Sequence, residues 1–525
     1  MKKRYIYMWV GMILLMGSSC SDFLNENSKN QTYVTCIEDL NELILGEGYM
    51  PMQFYSANSF TGTCAVGPWI HVMDDDSKVN NNSAASVVYV NSLGSFHYWL
   101  EQPFIDATSL LAYTDRTWEK LYKHINALNA ILYELEEYHE EKQYARLKGE
   151  VCFLRAVYYY FLINIYGRPY YEPTALTDQG VPVKLSEQIE DVDYRHASVA
   201  EVYKVITDDL EMAVKCLKDV EQTSIYRANE MAARAFLSRV YLYMCQWDKA
   251  VAQCNEVLKS PYTLLDFTQL AATDNKVFGN SPEVIFSNGD NRMLGISNSR
   301  SQYAVNGGSA NTAGQAAAFM ASDELIALYD QDKDARFHYF EWAESRYNAS
   351  QNKDFRGYYV TFKLSRNYSD GDLVSDFLTL RLPEIYLNKA EALAMLGQEA
   401  EAASVLEKLR EKRFISDAGV NASGKELSDL IRDERRRELC FEGHRWFDLK
   451  RYAVHPKYPL RKKIYHGFDT EHVGRYDCFY VLPEYTETGP NNYMMPIPES
   501  EIFINNGALR ANPRQDPEIV TEVES

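Results

Sequence analysis

The chain has 525 residues, of which 46% are hydrophobic and 24% are charged, and its formal net charge is −20 at pH 7. A chain of this length and composition can bury a large core in one or two domains. Its acidity argues against nucleic acid as a partner, because binding to phosphates requires an excess of basic side chains. The 39 tyrosines are unusual beside 7 tryptophans. A tyrosine ring serves both in a core and at a wet binding surface.

The start of the chain has the pattern of an export signal. Residues 2–4 are basic, and an uncharged apolar run from 6 to 16 follows them. This run is too short for a permanent membrane helix, which needs about 20 apolar residues. Small residues then come directly before Cys20. We predict a lipoprotein signal peptide over residues 1–19, cleaved before a lipid-modified Cys20. An ordinary signal peptide cut nearby is the alternative.

The other eight cysteines are an even number, which permits disulfide bonds in an exported protein. Cys152, Cys216, Cys245 and Cys440 lie inside helical patterns, where a thiol usually acts as a small buried hydrophobe. The sequence has no C-x-x-C spacing and no H-E-x-x-H motif. We therefore expect free, buried thiols, no metal site and no cofactor.

Helical periodicity is clear from about residue 118. Residues spaced four, three and four apart from Trp118 to Asn129 share one face. A second helix is predicted from about 142 to 166. A third begins with Ser198 and Glu201, which form a capping box in which each side chain satisfies the other residue's free N–H.

Two helix pairs follow, each with a short turn. One pair joins a helix over 232–241 to a helix over 250–258, and the other joins 390–396 to 400–409. Small residues at the crossings and a tight turn are what a tetratricopeptide unit needs. A generic helical hairpin is the alternative for each pair.

Long irregular stretches interrupt the helices at 264–314, with a short strand predicted at 281–286, and again at 354–375. Loops held on a rigid scaffold commonly carry binding sites. An aromatic ring in a loop can stack on the C–H face of a sugar, while a nearby carboxylate binds the hydroxyls. Ordinary packing is the alternative for each residue. The candidates for ligand binding are Trp69, Asp75, Tyr98, Trp99, Tyr303 and Trp342.

Several stretches resemble phosphate-binding, calcium-binding or catalytic motifs, but each lacks residues that the motif requires. Residues 419–425 match the phosphate-loop pattern G-x-x-x-x-G-K, but Glu426 follows where Ser or Thr is needed. Ser423 and Glu426 instead predict a capping box. The run 74–76 lacks the alternating ligands of a calcium loop. No carboxylate pair stands out for glycoside hydrolysis. We therefore predict no catalytic residue.

The most distinctive stretch is RRRELCFEGHRWFDLKR at 435–451. The spacing of Asp433 and Arg437 favours a helical ion pair, and we expect Arg445 and Asp448 to be buried as partners. This stretch resembles the late motif of the SusD/RagB family of outer-membrane nutrient-binding lipoproteins. Residues 149–169 and the closing segment 493–517 also resemble that family.

The resemblance implies a mainly α fold with about four tetratricopeptide-like helix pairs, long irregular loops and a few short strands. It divides the chain into an N-terminal region, 20–230, and a C-terminal region, 231–525, packed as one unit. It implies a surface lipoprotein, anchored in the outer membrane through Cys20, that binds oligosaccharide and delivers it to a SusC-like TonB-dependent transporter. Sites in that family use a Trp in the loop before the first clear helix. The resemblance therefore implies that Trp99 is the main ligand contact.

Two other functions stay open at this point. The first is an oligopeptide-binding lid of the RagB kind on the same type of transporter, which would need a less aromatic groove. The second is a surface glycosidase, which would need a convergent acid pair that the sequence does not show. We expect a binding protein rather than an enzyme.

Overall fold

The computed structural model describes residues 34–50, 66–79, 84–106, 109–110, 112, 116–188, 190–221, 224–270, 277, 279–289, 318–343, 346–348, 353–355, 357–361, 363–364, 374–469 and 476–523. The predicted signal peptide with Cys20, and Tyr303, lie outside these residues. Within the described ranges, no helix combines the length and the apolar character needed to cross a membrane.

Helices dominate the described part of the chain. In chain order they are α1 (Ile37–Leu43), α2 (Ala84–His97), α3 (Arg116–Leu135), α4 (Tyr144–Tyr166), α5 (Val199–Cys216), α6 (Glu230–Tyr243), α7 (Trp247–Val257), α8 (Asp323–Ala327), α9 (Leu382–Met395), α10 (Glu399–Arg410), α11 (Gly424–Leu439), α12 (Arg445–Ala453) and α13 (Glu499–Ile504). The most extensive contacts join α4 to α5, α6 to α7 and α9 to α10. The predicted mainly α fold with tetratricopeptide-like helix pairs is confirmed.

The helix α9 begins earlier than predicted, at Leu382 rather than near residue 390. Pro383 lies in its first turn, where the missing N–H removes no intrahelical hydrogen bond. Nearly every residue of α9 up to Ala394 is buried. A helix buried on most sides has no polar face to mark its start, so the hydrophobic pattern did not reveal its first two turns.

One of the two predicted capping boxes forms. At the start of α5, Glu201 Oε2 accepts from the Ser198 N–H at 2.7 Å, and Ser198 Oγ accepts from the Glu201 N–H at 3.2 Å. At the start of α11, Ser423 is the N-cap residue, but its side chain makes no capping hydrogen bond. The next residue, Gly424, has a left-handed φ of 56° instead of the value of a regular helix.

The strands are short, as predicted. They are β1 (Ser77–Val79), β2 (Val284–Ser287), β3 (Phe319–Ala321), β4 (Phe340–Ala343), β5 (Arg346–Asn348), β6 (Lys353–Phe355), β7 (Tyr358–Thr361), β8 (Thr379–Arg381), β9 (Ile464–Phe468), β10 (Cys478–Leu482) and β11 (Glu518–Val520). All pairings between them are antiparallel: β1 with β3, β2 with β8, β4 with β7, β5 with β6, and β10 with both β9 and β11. The strand predicted at 281–286 is β2.

The helix α4 lies at the centre of the core, and every residue from Val151 to Tyr166 except Arg155 is buried. Its tyrosines keep their hydroxyl groups bonded inside the protein. Tyr158 Oη donates to the Gly48 carbonyl at 2.6 Å, and Tyr159 Oη donates to the Lys184 carbonyl at 2.8 Å. Much of the unusual tyrosine content therefore serves the core.

The described cysteines carry no disulfide bond. Cys152 and Cys440 are buried as predicted, whereas Cys216 and Cys245 are partly exposed near helix ends. Burial raises the pKa of the Cys440 thiol to about 11. A thiol with so high a pKa stays protonated at neutral pH and is a poor nucleophile.

A network of buried ion pairs lies beneath α11. Glu438 is at its centre and accepts hydrogen bonds from Arg381 Nη1 at 2.6 Å, Arg413 Nε at 2.9 Å and Arg336 Nη1 at 3.0 Å. Burial acts to raise the pKa of Glu438, but these three guanidinium groups hold it well below its ordinary value. The arginine–glutamate network, as we define it, consists of Glu283, Arg336, Lys363, Arg381, Arg413, Glu434, Glu438 and Glu442.

We expect Glu438→Gln to lower the free energy of unfolding by about 3–5 kcal/mol, because removing one partner leaves buried charges uncompensated. Urea unfolding monitored by circular dichroism measures this loss. Lys204→Ala is the control, since Lys204 pairs with Asp208 on the exposed face of α5 and such pairs contribute less than about 1 kcal/mol. Equal losses in the two variants would contradict the central role of Glu438.

Candidate functional site

The distinctive motif at 435–451 forms internal ion pairs rather than a reactive centre. Arg435 on α11 donates from Nε to Asp448 Oδ2 at 2.8 Å, and Arg451 donates from Nε to Asp448 Oδ1 at 2.7 Å. Arg445 and Asp448 are both buried, as predicted, but they do not pair with each other. Asp448 joins α11 to α12, and Arg445 reaches a different carboxylate, that of Asp75.

Asp75 is enclosed by basic side chains. Its two carboxylate oxygens accept from Arg445 Nε and Nη2 at 2.6 and 2.7 Å, and it also pairs with Arg436 and Lys462. Burial alone would raise the pKa of Asp75, but Arg436 and Arg445 hold it well below its ordinary value. The side chain is buried and both oxygens are engaged, so in this structure Asp75 serves as an internal partner of basic side chains.

Trp99 is fully buried directly after α2. Its φ of 53° places it in the left-handed region, and its Nε1 donates to the Met73 carbonyl at 2.9 Å. One ring face stacks on His466 with a centroid distance of 4.1 Å. No ring face is open to solvent, so the structure does not support the predicted sugar-stacking role of Trp99. The left-handed turn after α2 points this side chain inward.

Tyr98 and Trp69 are buried as well. The Tyr98 ring packs on Tyr480 with a centroid distance of 4.5 Å. Trp69 stacks on Phe96 at 5.6 Å, with nearly parallel rings. A Cβ at Gly67 would come within 2.2 Å of the Trp69 indole, so the glycine lets the ring lie flat on the backbone. Both side chains therefore pack as ordinary interior residues in this structure, as Trp99 does.

Among the predicted aromatic residues that the structure describes, Trp342 is the one at the surface, with 49% of its area exposed. It lies on β4 opposite Tyr359 on β7, and the two ring centroids are 4.8 Å apart at an angle of 59°. A Cβ at Gly357 would come within 2.2 Å of Trp342 Cζ2, so a glycine is required where the indole crosses the backbone.

The rings beneath Trp342 form a continuous row into the interior. Tyr359 contacts Phe337 at a centroid distance of 5.6 Å, and Phe337 contacts the buried Phe340 at 6.3 Å. We call Trp342, Tyr359, Phe337 and Gly357 the aromatic platform. Sequence analysis missed Tyr359 and Gly357, although the adjacent letters G-Y-Y in the second irregular stretch were a usable signal.

A helical-repeat scaffold that presents an exposed aromatic platform is typical of a binding protein. The described residues include no group of His, Cys, Asp or Glu able to hold a metal ion. A family model described as "SusD family" matches residues 286–514, and one described as "Starch-binding associating with outer membrane" matches residues 22–242. Both models describe SusD-like proteins, and together they match most of the chain, so the chain is a SusD-like protein.

Known proteins resemble the chain over almost its whole length. SusD-like protein P25 of Formosa agariphila is 23% identical over 98% of this chain and 99% of its own. A SusD superfamily crystal structure from Bacteroides vulgatus has a TM-score of 0.64 and 21% identity, covering 91% of this chain and 99% of its own. A laminarin-binding SusD-like protein has a TM-score of 0.57 and 20% identity, covering 91% and 97%. At these identities the structures show a shared fold.

The packing around Trp99 includes two buried histidines. His466 on β9 lies between the rings of Trp99 and His97, and its centroid is 3.8 Å from that of His97. Its Nδ1 lies 2.5 Å from the His97 carbonyl and its Nε2 lies 3.0 Å from the Asp74 carbonyl. Burial lowers the pKa of His466 to about 4, despite these backbone contacts.

We expect this stack to make the protein sensitive to acid. A histidine with a lowered pKa contributes stability above its unfolded pKa of about 6.5, and that stability is lost as pH falls towards about 4. The loss from His466 amounts to about 3 kcal/mol. Unfolding free energies measured between pH 7 and pH 4 should fall less steeply for His466→Gln. The exposed His139→Gln is the control and should keep the wild-type slope.

Proposed function

We propose that this protein captures an oligosaccharide or polysaccharide at the cell surface and delivers it to a SusC-like TonB-dependent transporter in the outer membrane. Two findings support carbohydrate as the ligand: the starch-binding description of the N-terminal family model, and a laminarin-binding protein with the same fold. The same description supports association with the outer membrane. Delivery to a transporter is proposed because the sequence motifs resemble those of the SusD/RagB family.

The observation that carries the proposal is the half-exposed indole of Trp342. About half of the indole stays exposed, yet its position is fixed by Tyr359 and by the backbone at Gly357. A fixed ring loses little conformational entropy when a ligand binds. Its apolar face offers the C–H groups of a sugar ring a stacking surface. We therefore propose Trp342 as a ligand contact, with Tyr359 as its support.

The other predicted site residues enter the proposal differently. Tyr303, which lies in a Ser- and Asn-rich stretch of the sequence, remains a proposed contact. Trp69, Tyr98 and Trp99 pack in the interior and are proposed to support the fold. Cys20 is proposed to carry the lipid anchor. More than one acyl chain on such a cysteine gives stable attachment, because each buried CH2 contributes about 0.8 kcal/mol.

We expect Trp342→Ala to weaken binding of laminarin or starch at least about tenfold, which corresponds to about 1.4 kcal/mol. Isothermal titration with the mature chain, Cys20 removed, measures this change. Tyr133→Ala is the matched control, because Tyr133 is an exposed aromatic side chain on α3, 60% exposed. A panel of peptides run in parallel tests the alternative ligand of the RagB kind. Binding to peptides alone would replace the carbohydrate proposal.

A second variant separates binding from folding. Trp99→Ala should lower the free energy of unfolding by about 3–5 kcal/mol, because it removes a fully buried indole. The urea midpoint of Trp342→Ala should stay close to that of the wild type. If a stably folded Trp99→Ala protein selectively lost carbohydrate binding, Trp99 and not Trp342 would be the ligand contact.

The proposed anchor has its own test. Cys20→Ala should move the protein from the outer-membrane fraction to the soluble fraction of fractionated cells, because no acyl chain can then be attached. Metabolic labelling with a tagged fatty acid should mark the wild-type protein and not the variant. Labelling that persists in Cys20→Ala would show that another residue carries the lipid.

A further inference from the structure

A small cavity lies between α11 and α12, the two helices of the distinctive motif. It has room for a single particle, about the size of a water molecule or a halide ion. The side chains around it are mostly charged, and basic ones outnumber acidic ones. The charged groups are four arginines and two aspartates: Arg432, Arg435, Arg436, Arg445, Asp76 and Asp448. We call this space the arginine cavity.

The two aspartates of the arginine cavity already have basic partners. Asp448 accepts from Arg435 Nε at 2.8 Å and from Arg451 Nε at 2.7 Å. Asp76 Oδ1 accepts from Arg436 Nε at 2.6 Å, whereas Asp76 Oδ2 has no hydrogen-bond partner among the described residues. Burial raises the pKa of Asp76, which favours a proton on this carboxyl group, and a protonated Oδ2 is a hydrogen-bond donor.

Arg432 is the arginine of the cavity whose charge is least compensated. The residue is 5% exposed, and its Nη2 donates to the Tyr458 carbonyl at 2.6 Å. The carboxylate that it pairs with, Asp429, is 3.9 Å from Nη1, and that side chain is 43% exposed. Its Nε has no hydrogen-bond partner among the described residues. A buried guanidinium N–H without an acceptor is costly, so the wall of the cavity lacks a negatively charged or polar acceptor at this point.

The N-terminal end of α12 borders the same cavity. His444, the N-cap residue of this nine-residue helix, and Arg445, its first residue, both lie in the cavity wall. The first N–H groups of a helix have no intrahelical acceptor, and the helix dipole places a partial positive charge there. Arg445 donates from Nε and Nη2 to Asp75, which leaves its Nη1 as a further donor. The helix end and two guanidinium groups therefore favour negative charge in this cavity.

We propose that the arginine cavity binds a small inorganic anion of halide size, chloride, with Arg432 Nε and the N-terminal end of α12 as its donors. The anion supplies the acceptor that Arg432 Nε lacks and compensates its buried charge. Helix N-termini with convergent N–H donors bind anions in many proteins. The small size of the cavity selects a halide over sulfate, phosphate or a sugar acid. The site is separate from the aromatic platform and does not depend on the proposed function.

The first experiment grows crystals of the mature chain in sodium bromide, since bromide replaces chloride and is identified by its anomalous scattering. We expect an anomalous difference peak in the cavity, next to Arg432 Nε, and no peak there in Arg432→Gln. Electron density without an anomalous signal would identify a water molecule and overturn the proposal. A peak that persists unchanged in Arg432→Gln would overturn the role assigned to Arg432.

The second experiment compares thermal unfolding in sodium chloride and in sodium gluconate at equal ionic strength, because gluconate is too large for the cavity. The Tm of the wild type should be at least about 1 °C higher in chloride and should rise with chloride concentration, because a ligand of the native state stabilises it.

Two variants show whether this chloride effect arises at the cavity. Arg432→Gln should lose it, whereas Arg461→Gln should keep it, because Arg461 pairs with Glu487 outside the cavity and its side chain is 39% exposed. Equal Tm values for the wild type in the two salts would overturn the proposal. A chloride effect of the same size in Arg432→Gln would also overturn it, since the effect would then be a general one of the salt. If Arg432→Gln does not fold, the wild-type measurements in bromide crystals and in the two salts still decide.

Discussion

The burial of charge beneath α11 is the constraint on which the rest of this structure depends. Glu438 is fully buried and bonded to three guanidinium groups from separate parts of the chain: Arg336, Arg381 and Arg413. Each ion alone would be costly to remove from water, and each becomes tolerable only when its partners arrive in the right geometry. Segments distant in sequence must therefore assemble together, because an incomplete network leaves a buried charge unpaired.

A second layer of ion pairs extends this constraint to the N-terminal part of the chain. Arg436 and Arg445, one on each helix of the distinctive motif, both bind Asp75. The segment that carries Asp75 also provides the carbonyl groups of Met73 and Asp74, which contact Trp99 and His466. The motif thus helps to position the stacked rings of Trp99, His466 and His97 through the segment that carries Asp75. The charged side chains of the motif are thus engaged in buried ion pairs, as Arg445 is with Asp75.

The sequence predicted the helices and the structural role of the motif, because both leave a periodic or charge-paired pattern. It did not predict which loop aromatics face solvent. Trp99 and Trp342 both follow polar stretches, and their difference arises from backbone geometry: a left-handed turn points Trp99 inward, and the β4–β7 pairing holds Trp342 outward. The basic partners of Asp75 could not be predicted either, since Arg445 is 370 residues away in the sequence.

Trp342 combines exposure with a fixed position. It is a single ring held on a row of further aromatic rings, and its flat face suits a ligand that offers C–H groups in a plane. Tyr359 holds it across the β4–β7 pairing, and the backbone at Gly357 passes directly beneath the indole. A side chain fixed in this way loses little conformational entropy on binding, which is why the proposed ligand contact is this residue.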